Sequence, residues 1–276
     1  LDKVLKPVRD FLARLRDALG LKGLRTVEDV FATIERGGDF AIAPPLDTTP
    51  RFMFGGERAV TADQEALAVA KQMQMDGKPR EDIWRKTGWL QGVDGRWRFE
   101  IDDSSARLKG GQKRYVGSAL DHSEVFDAYP DLRKVAVARV QQSGGAYMKS
   151  IDTIELGPFA GKPILLHEMQ HAIQSGNRES FAPGGAPHHF GKEAVAREKA
   201  RLDAQLSAWR AAGGESTDVS FSEAEVRWEL YRRLAGEVEA RTVEKRAKLT
   251  AAERRAQPPW LDYDVPEDQQ FVSVSD

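Results

Sequence analysis

"ILLHEMQHAIQSG", Ile164 to Gly176, holds two histidines four residues apart, with a glutamate directly after the first. Pro163 suits the first turn of a helix and Gly176 suits its end. On such a helix, positions i and i+4 lie about one turn apart on the same side. His167 and His171 then project together. Leu165, Leu166, Met169, Ala172 and Ile173 form the opposite side and back the helix against a core. Two imidazoles on one face can grip one divalent cation. Glu168 is placed to take a proton from water rather than to bind metal, which is the H-E-x-x-H arrangement. The competing reading is a solvated helix that happens to carry these residues. With five histidines in 276 residues, chance makes the spacing rare, so the metal reading is preferred.

A catalytic zinc site built on two histidines needs a third protein ligand. The extended pattern H-E-x-x-H-x-x-G-x-x-H fails, because Gln174 and Asn177 stand at its glycine and last histidine. His188 and His189 lie in "FAPGGAPHHFGK", a loop that holds a ligand less firmly than a helix does. Glu237, in "WELYRRLAGEVEARTVEKR", is the stronger candidate. On a helix over 223–247, Val226, Leu230, Leu234 and Glu237 share a narrow arc. A lone carboxylate in that apolar stripe is costly unless it is paired or bound to metal. Arg233 and Arg241, one turn away on either side, are the alternative partners. Glu239 points roughly 200° around the helix and is the substitute candidate. Gly236 leaves room beside Glu237 for another backbone.

Composition narrows the classes. Net charge is −2, from 41 basic and 43 acidic residues, which argues against a dedicated nucleic-acid binder. The absence of cysteine excludes disulfides and thiolate sites, so a transition metal must use His, Asp or Glu. It also fits a reducing compartment. No run approaches the roughly 18 apolar residues of a membrane span, so no membrane partner is expected. No signal peptide is visible, and the opening on Leu1 suits a fragment of a longer polypeptide.

Periodicity gives an amphipathic helix over 1–19, a short helix over 27–36, and a loop from Gly37 to Arg58 rich in Gly, Pro and Thr. Thr61 with Gln64 reads as a capping box for a helix through Met75. Asp94-Gly95 marks a turn, followed by a strand in which Trp97, Phe99 and Ile101 alternate with Arg96, Arg98 and Glu100. Strands are expected over 135–140 and 146–156, and helices over 192–211 and 223–247, the latter opened by a Ser222–Glu225 capping box. The tail, 257–276, reads as irregular. The tryptophans near "WRFEIDD" are assigned to the core, His122 to a cap or the surface, and Phe181 to Phe190 to a lid. The basic run "EKRAKLTAAERR" reads as a solvated helix end. The class is α+β. The expected organisation is a helical extension and linker over 1–58, a catalytic domain over 59–250, and a packed tail over 251–276.

At the metal-binding residues the sequence looks like zincin metallopeptidases of the gluzincin type, in which a distant helical glutamate opens an E-x-x-A-[DN] pattern. "Glu237-Val-Glu-Ala-Arg241" keeps the glutamate and alanine and has arginine at the last position. More closely, "TGWLQGVDGRWRFEIDD", "HSEVFDAYPDL", "GNRESFAPGG", "YRRLAGEVEAR" and "DYDVPEDQQF" together resemble the zincin-like domain of large phage-encoded polyvalent proteins, from roughly Gly55 to Val272. That resemblance implies a small mixed sheet, the H-E-x-x-H helix and a following long ligand helix. It implies Zn²⁺ held by His167, His171 and Glu237, with Glu168 as the base, acting on a protein or peptide substrate that includes the parent polypeptide among the candidates. It places the protein in a bacterial host cell, delivered with phage DNA. Tyr231, His188, His189 and Arg241 remain open as the group that stabilises the oxyanion. The alternative is a catalytically weak zincin-fold structural or binding module within a larger phage or effector polypeptide. A third option is an effector peptidase delivered to another cell.

Overall fold

The computed structural model describes residues 51–273 apart from 104, 111–113, 143, 213–219, 247–248 and 250. The helices expected over 1–19 and 27–36 lie outside the described residues. In chain order the elements are β1 (Arg51–Gly56), α1 (Gln64–Met75), α2 (Arg80–Thr87), β2 (Trp89–Gln91), β3 (Trp97–Asp103), β4 (Arg107–Leu108), the single turn α3 (Val116–Ala119), β5 (Leu120–Asp121) and α4 (Ser123–Ala128). They continue with β6 (Ala136–Arg139), β7 (Gly145–Met148), β8 (Thr153–Leu156), α5 (Lys162–Gln174), α6 (Lys192–Ala211), α7 (Glu223–Arg232), α8 (Ala235–Arg246) and α9 (Ala251–Ala256). The class is α+β with small sheets. β1-β3-β2 is antiparallel, β4-β5 is a pair, and β6-β8-β7 is mixed, with β8 parallel to β6 and antiparallel to β7. No helix among the described residues is long and apolar enough to cross a membrane.

The described residues of 195–226 belong to a separate compact unit. Within it, Ser222 Oγ accepts from Glu225 N–H and Glu225 Oε2 accepts from Ser222 N–H at 2.7 Å, the mutual capping expected at the start of α7.

In the other unit the core gathers around α5. Leu165, Leu166, Met169, Ala172 and Ile173 are all buried and share a cluster with Met53, Phe54, Phe126, Leu132 and Ile154. Pro163 occupies the first turn of α5, where its missing N–H costs nothing. The helix stops at Gln174, two residues before Gly176. Ser175 Oγ and Arg178 Nη1 there both donate to the Ala172 carbonyl and satisfy it without further helix. α5 packs against β1, β7, β8 and α8.

The basic run read as a solvated helix end has Arg246 and Arg254 buried, because Arg246 is paired with Glu100 and Asp262. Four further local readings differ from the structure. β1 lies inside the segment expected to be loop. Its Met53 and Phe54 are buried, and it pairs with β3 along its whole length, from Arg51 opposite Asp103 to Gly56 opposite Arg98. The glycine and proline around it describe its flanks. The cap of α1 is Asp63, whose side chain accepts from Ala66 N–H at 2.8 Å, not Thr61. The strand expected over 146–156 is two strands, β7 and β8, because the chain reverses at Asp152 (φ 46°).

The fourth difference matters most for the site. The long helix expected over 223–247 is broken between α7 and α8. Phe271, from the tail, donates its N–H to Arg233 O at 2.9 Å and accepts from Ala235 N–H at 2.8 Å. Those two bonds take the backbone groups that a continuous helix needs. Glu237 therefore sits in the first turn of α8, where the helix dipole favours a carboxylate.

Candidate metal centre

α5 presents His167 and His171 on one face, with the ring nitrogens Nε2 of the two side chains 3.1 Å apart. The first turn of α8 brings Glu237 to the same point. Its Oε1 lies 3.2 Å from His171 Nε2 and its Oε2 lies 3.6 Å from His167 Nε2. Ligand atoms of the three residues all fall within 4.8 Å of one another. Tetrahedral zinc, with bonds near 2.0–2.2 Å, sets its ligand atoms roughly 3.3–3.5 Å apart, so the observed spacing suits that ion. Glu237 is 1 % exposed, and its Oε2 has no hydrogen bond. A buried oxygen left in that state is expensive unless something else receives it. Two imidazoles and one carboxylate are also the donor set that zinc accepts.

The charges respond to one another. Burial disfavours protonated His171, but the Glu237 carboxylate overrides it and lifts its pKa to about 9. Burial would raise the pKa of Glu237, and the two histidines instead hold it well below the ordinary carboxylate range. Glu168 is 5 % exposed, and its pKa is raised because burial outweighs the pull of His171 and His167. Gly145 of β7 lies so close that a Cβ there would sit 2.9 Å from Glu168 Oε1. The edge of the mixed sheet thus runs directly against the carboxyl that follows the first histidine.

The glycine-rich segment after α5 covers the other side. Phe181 and Ala182 are buried, and Gly185 N–H donates to Glu237 Oε1 at 2.9 Å. A Cβ on Gly184 would fall 2.3 Å from His171 Cε1 and 2.5 Å from Glu237 Oε1. A Cβ on Gly236 would fall 2.4–2.6 Å from the backbone of Ala182, Pro183 and Gly184. Gly236 is therefore required by the approach of another backbone, and Gly184 by its closeness to the His171 and Glu237 side chains. The first half of the expected lid is a packed brace.

The other candidates are dispersed. His188 and His189 are exposed and meet edge to face with ring centroids 4.5 Å apart, outside the three-residue cluster. Arg241 pairs with Asp264 at 3.0 Å and not with Glu237. Glu239 faces away from the histidines and is bound by Arg98, Gln170 and Gln174. Tyr231 does reach the site. Burial and the neighbouring Glu237 both push the pKa of its phenol upward. His122 caps α4 through Nδ1, at 3.4 Å from Val125 N, and is buried.

Sequence reasoning missed Gln174 and Arg98. Gln174 Oε1 lies 2.8 Å from His171 Nδ1, three residues along the same helix, so it was within reach of an i, i+3 reading. Arg98 stands on the face of β3 that alternation assigned to solvent, yet it is 3 % exposed because α8 covers that face with Glu239. Arg246 of α8 pairs in the same way with Glu100 of β3, at 2.6 Å.

Residues 52–109 match the family described as Large polyvalent protein associated domain 23. This segment carries β1, α1, α2, β2, β3 and β4, and so Asp94 and Arg98, but none of the three clustered ligand residues. No curated protein and no solved structure matches the chain significantly. The match associates the β1–β4 part of the chain with large polyvalent proteins.

Proposed function

We propose that the protein is a zinc-dependent metallopeptidase with a zincin-like fold. His167, His171 and Glu237 would hold the ion, and Glu168 would act as general base. The observation that carries this reading is the convergence of three ligand atoms within 4.8 Å beside a buried carboxyl of raised pKa. When bound, zinc supplies Lewis-acid polarisation of the scissile carbonyl and makes water easier to deprotonate. Glu168 takes the proton as the water oxygen bonds to the carbonyl carbon. It returns that proton to the nitrogen as the C–N bond breaks. Its raised pKa favours such a shuttle. Tyr231, facing Glu237, is the candidate donor to the oxyanion. Among the described residues β7 is the edge strand of its sheet, and it packs on α5 with its Tyr147 amide reaching the Glu168 carboxyl, so an extended peptide laid along that edge would lie beside the base.

The polyvalent-protein match supports a domain that works within a larger polyvalent polypeptide; a bacterial host cell as its setting and the parent chain as a candidate substrate are part of the proposal. The test is metal content and peptide cleavage of the wild type and Glu168→Gln. About one zinc per chain in both, with cleavage about 10²–10⁴-fold slower in the variant, is expected. A wild type that binds no zinc and cuts no peptide overturns the proposal. Wild-type metal with no Glu168-dependent cleavage moves the reading to a zincin-fold structural module.

A further inference from the structure

We infer that Gln174, Glu239 and Arg98 are positioning residues that fix which nitrogen of His171 is offered to a cation. The inference deepens the metal reading and rests on it. His171 Nδ1 lies 2.8 Å from Gln174 Oε1, so in the neutral imidazole that a cation requires, Nδ1 carries the hydrogen and the lone pair is left on Nε2, towards Glu237 and His167. A glutamine alone cannot enforce this, because its amide offers oxygen at one end and NH₂ at the other. The far end decides it. Gln174 Nε2 donates to Gly236 O at 3.0 Å and to Glu239 Oε1 at 2.9 Å, and both partners only accept. A flipped amide would set oxygen against two acceptors and NH₂ against Nδ1. The hydrogen of His171 would then move to Nε2, where the cation binds.

Glu239 is itself held from three sides. Gln170 Nε2 donates to its Oε1 at 2.9 Å, and Arg98 Nε donates to its Oε2. Gln170 is clamped on the Phe54 backbone, accepting from N–H at 2.9 Å and donating to C=O at 3.2 Å. The remaining Arg98 amines grip Asp94 at 2.8 and 2.9 Å, and Asp94 Oδ2 accepts from Ala182 N–H at 2.7 Å. Gln170, Gln174, Arg98 and Glu239 are each no more than 5 % exposed. A buried network whose polar atoms are matched in this way is rigid, and its parts act as a unit. Asp94 and Arg98 belong to the segment that matches the polyvalent-protein family, so that segment would tune the metal site without touching it.

The experiment measures zinc affinity, by competition with a chromophoric chelator, for wild type, Gln174→Met, the near-isosteric Glu239→Gln, and the double variant. Gln174→Met is expected to bind zinc about 10–100-fold more weakly. Glu239→Gln is expected to lose about 3–10-fold, and the double variant to bind no more weakly than Gln174→Met, because Glu239 acts through Gln174. In zinc-loaded protein the His171 Nδ1–H resonance should exchange slowly with water in wild type and rapidly in Gln174→Met. Unchanged affinity in Gln174→Met, or losses that multiply in the double variant, overturns the relay and leaves the metal reading standing. Should Gln174→Met not fold, unchanged affinity in Glu239→Gln overturns it alone. A wild type that binds no zinc removes the metal reading and the relay together.

Discussion

Gly185 donates its backbone N–H to Oε1 of Glu237 at 2.9 Å, so the loop that follows α5 is fastened to the carboxylate that faces both histidines. The histidine helix, the loop after it and the much later helix α8 thus meet at one side chain. The consequences can be measured at each.

Glu237→Gln keeps the shape of the side chain and removes its charge. Burial of Glu237 is offset by His171 and His167, so the variant keeps its volume but loses the anionic ligand. Zinc affinity is expected to fall by more than about 100-fold, beyond the range typical of supporting residues. Equal affinity in a chelator competition would remove Glu237 from the ligand set.

Gly236→Ala places a Cβ 2.4–2.6 Å from the backbone of Ala182, Pro183 and Gly184. Backbone on both sides leaves little that can yield, so a loss of about 1–3 kcal/mol is expected. Thermal unfolding should shift down by several degrees, and zinc affinity should fall with it as the Gly185–Glu237 bond is strained. A variant with unchanged Tm and affinity contradicts the packing described.

His122 gives a pH dependence of known sign. Burial outweighs the nearby Glu124 and lowers its pKa to about 4. The unfolded chain binds that proton at a higher pH, near 6.5, so between about 6.5 and 4 the unfolded state holds more protons. Its contribution to stability is full above that window and is lost as pH falls through it, up to roughly 3 kcal/mol. His122→Asn keeps a capping acceptor and removes the titration. Urea midpoints measured across the window should decline less steeply in the variant. Parallel profiles would show that His122 is not the group responsible.

Arg246 is fully buried between Glu100 and Asp262, at 2.6 Å from each. Arg246→Leu leaves two carboxylates buried without their cation and is expected to cost about 3–5 kcal/mol. Far-UV circular dichroism during urea unfolding reads the loss. A midpoint unchanged from wild type would mean that these carboxylates find other partners or water.

The legible parts of this protein are those written locally. α5 follows from a 3.6-residue period that puts five apolar residues on one side and two histidines on the other. Glu237 is legible as a polar residue among apolar neighbours, Leu234 and Val238, although the stripe drawn back to Val226 assumed a helix that the structure breaks. Arg98 and Glu239 are not, because the exposure of one face of β3 depends on where α8 lands, and no spacing within β3 records that. β1 is hidden by the composition of its neighbours. The interruption between α7 and α8 is hidden because its cause, Phe271, is remote in sequence and acts through main-chain atoms that carry no residue signature.

That interruption has a kinetic consequence. The bonds from Phe271 to Arg233 and Ala235 set the start of the helix that aims Glu237. During synthesis the histidine helix and the carboxylate emerge well before residue 271 does. The pocket is finished only when Phe271 has emerged and docked, so a nascent chain that stops short of it carries both imidazoles and the acid without yet holding them as one cation trap.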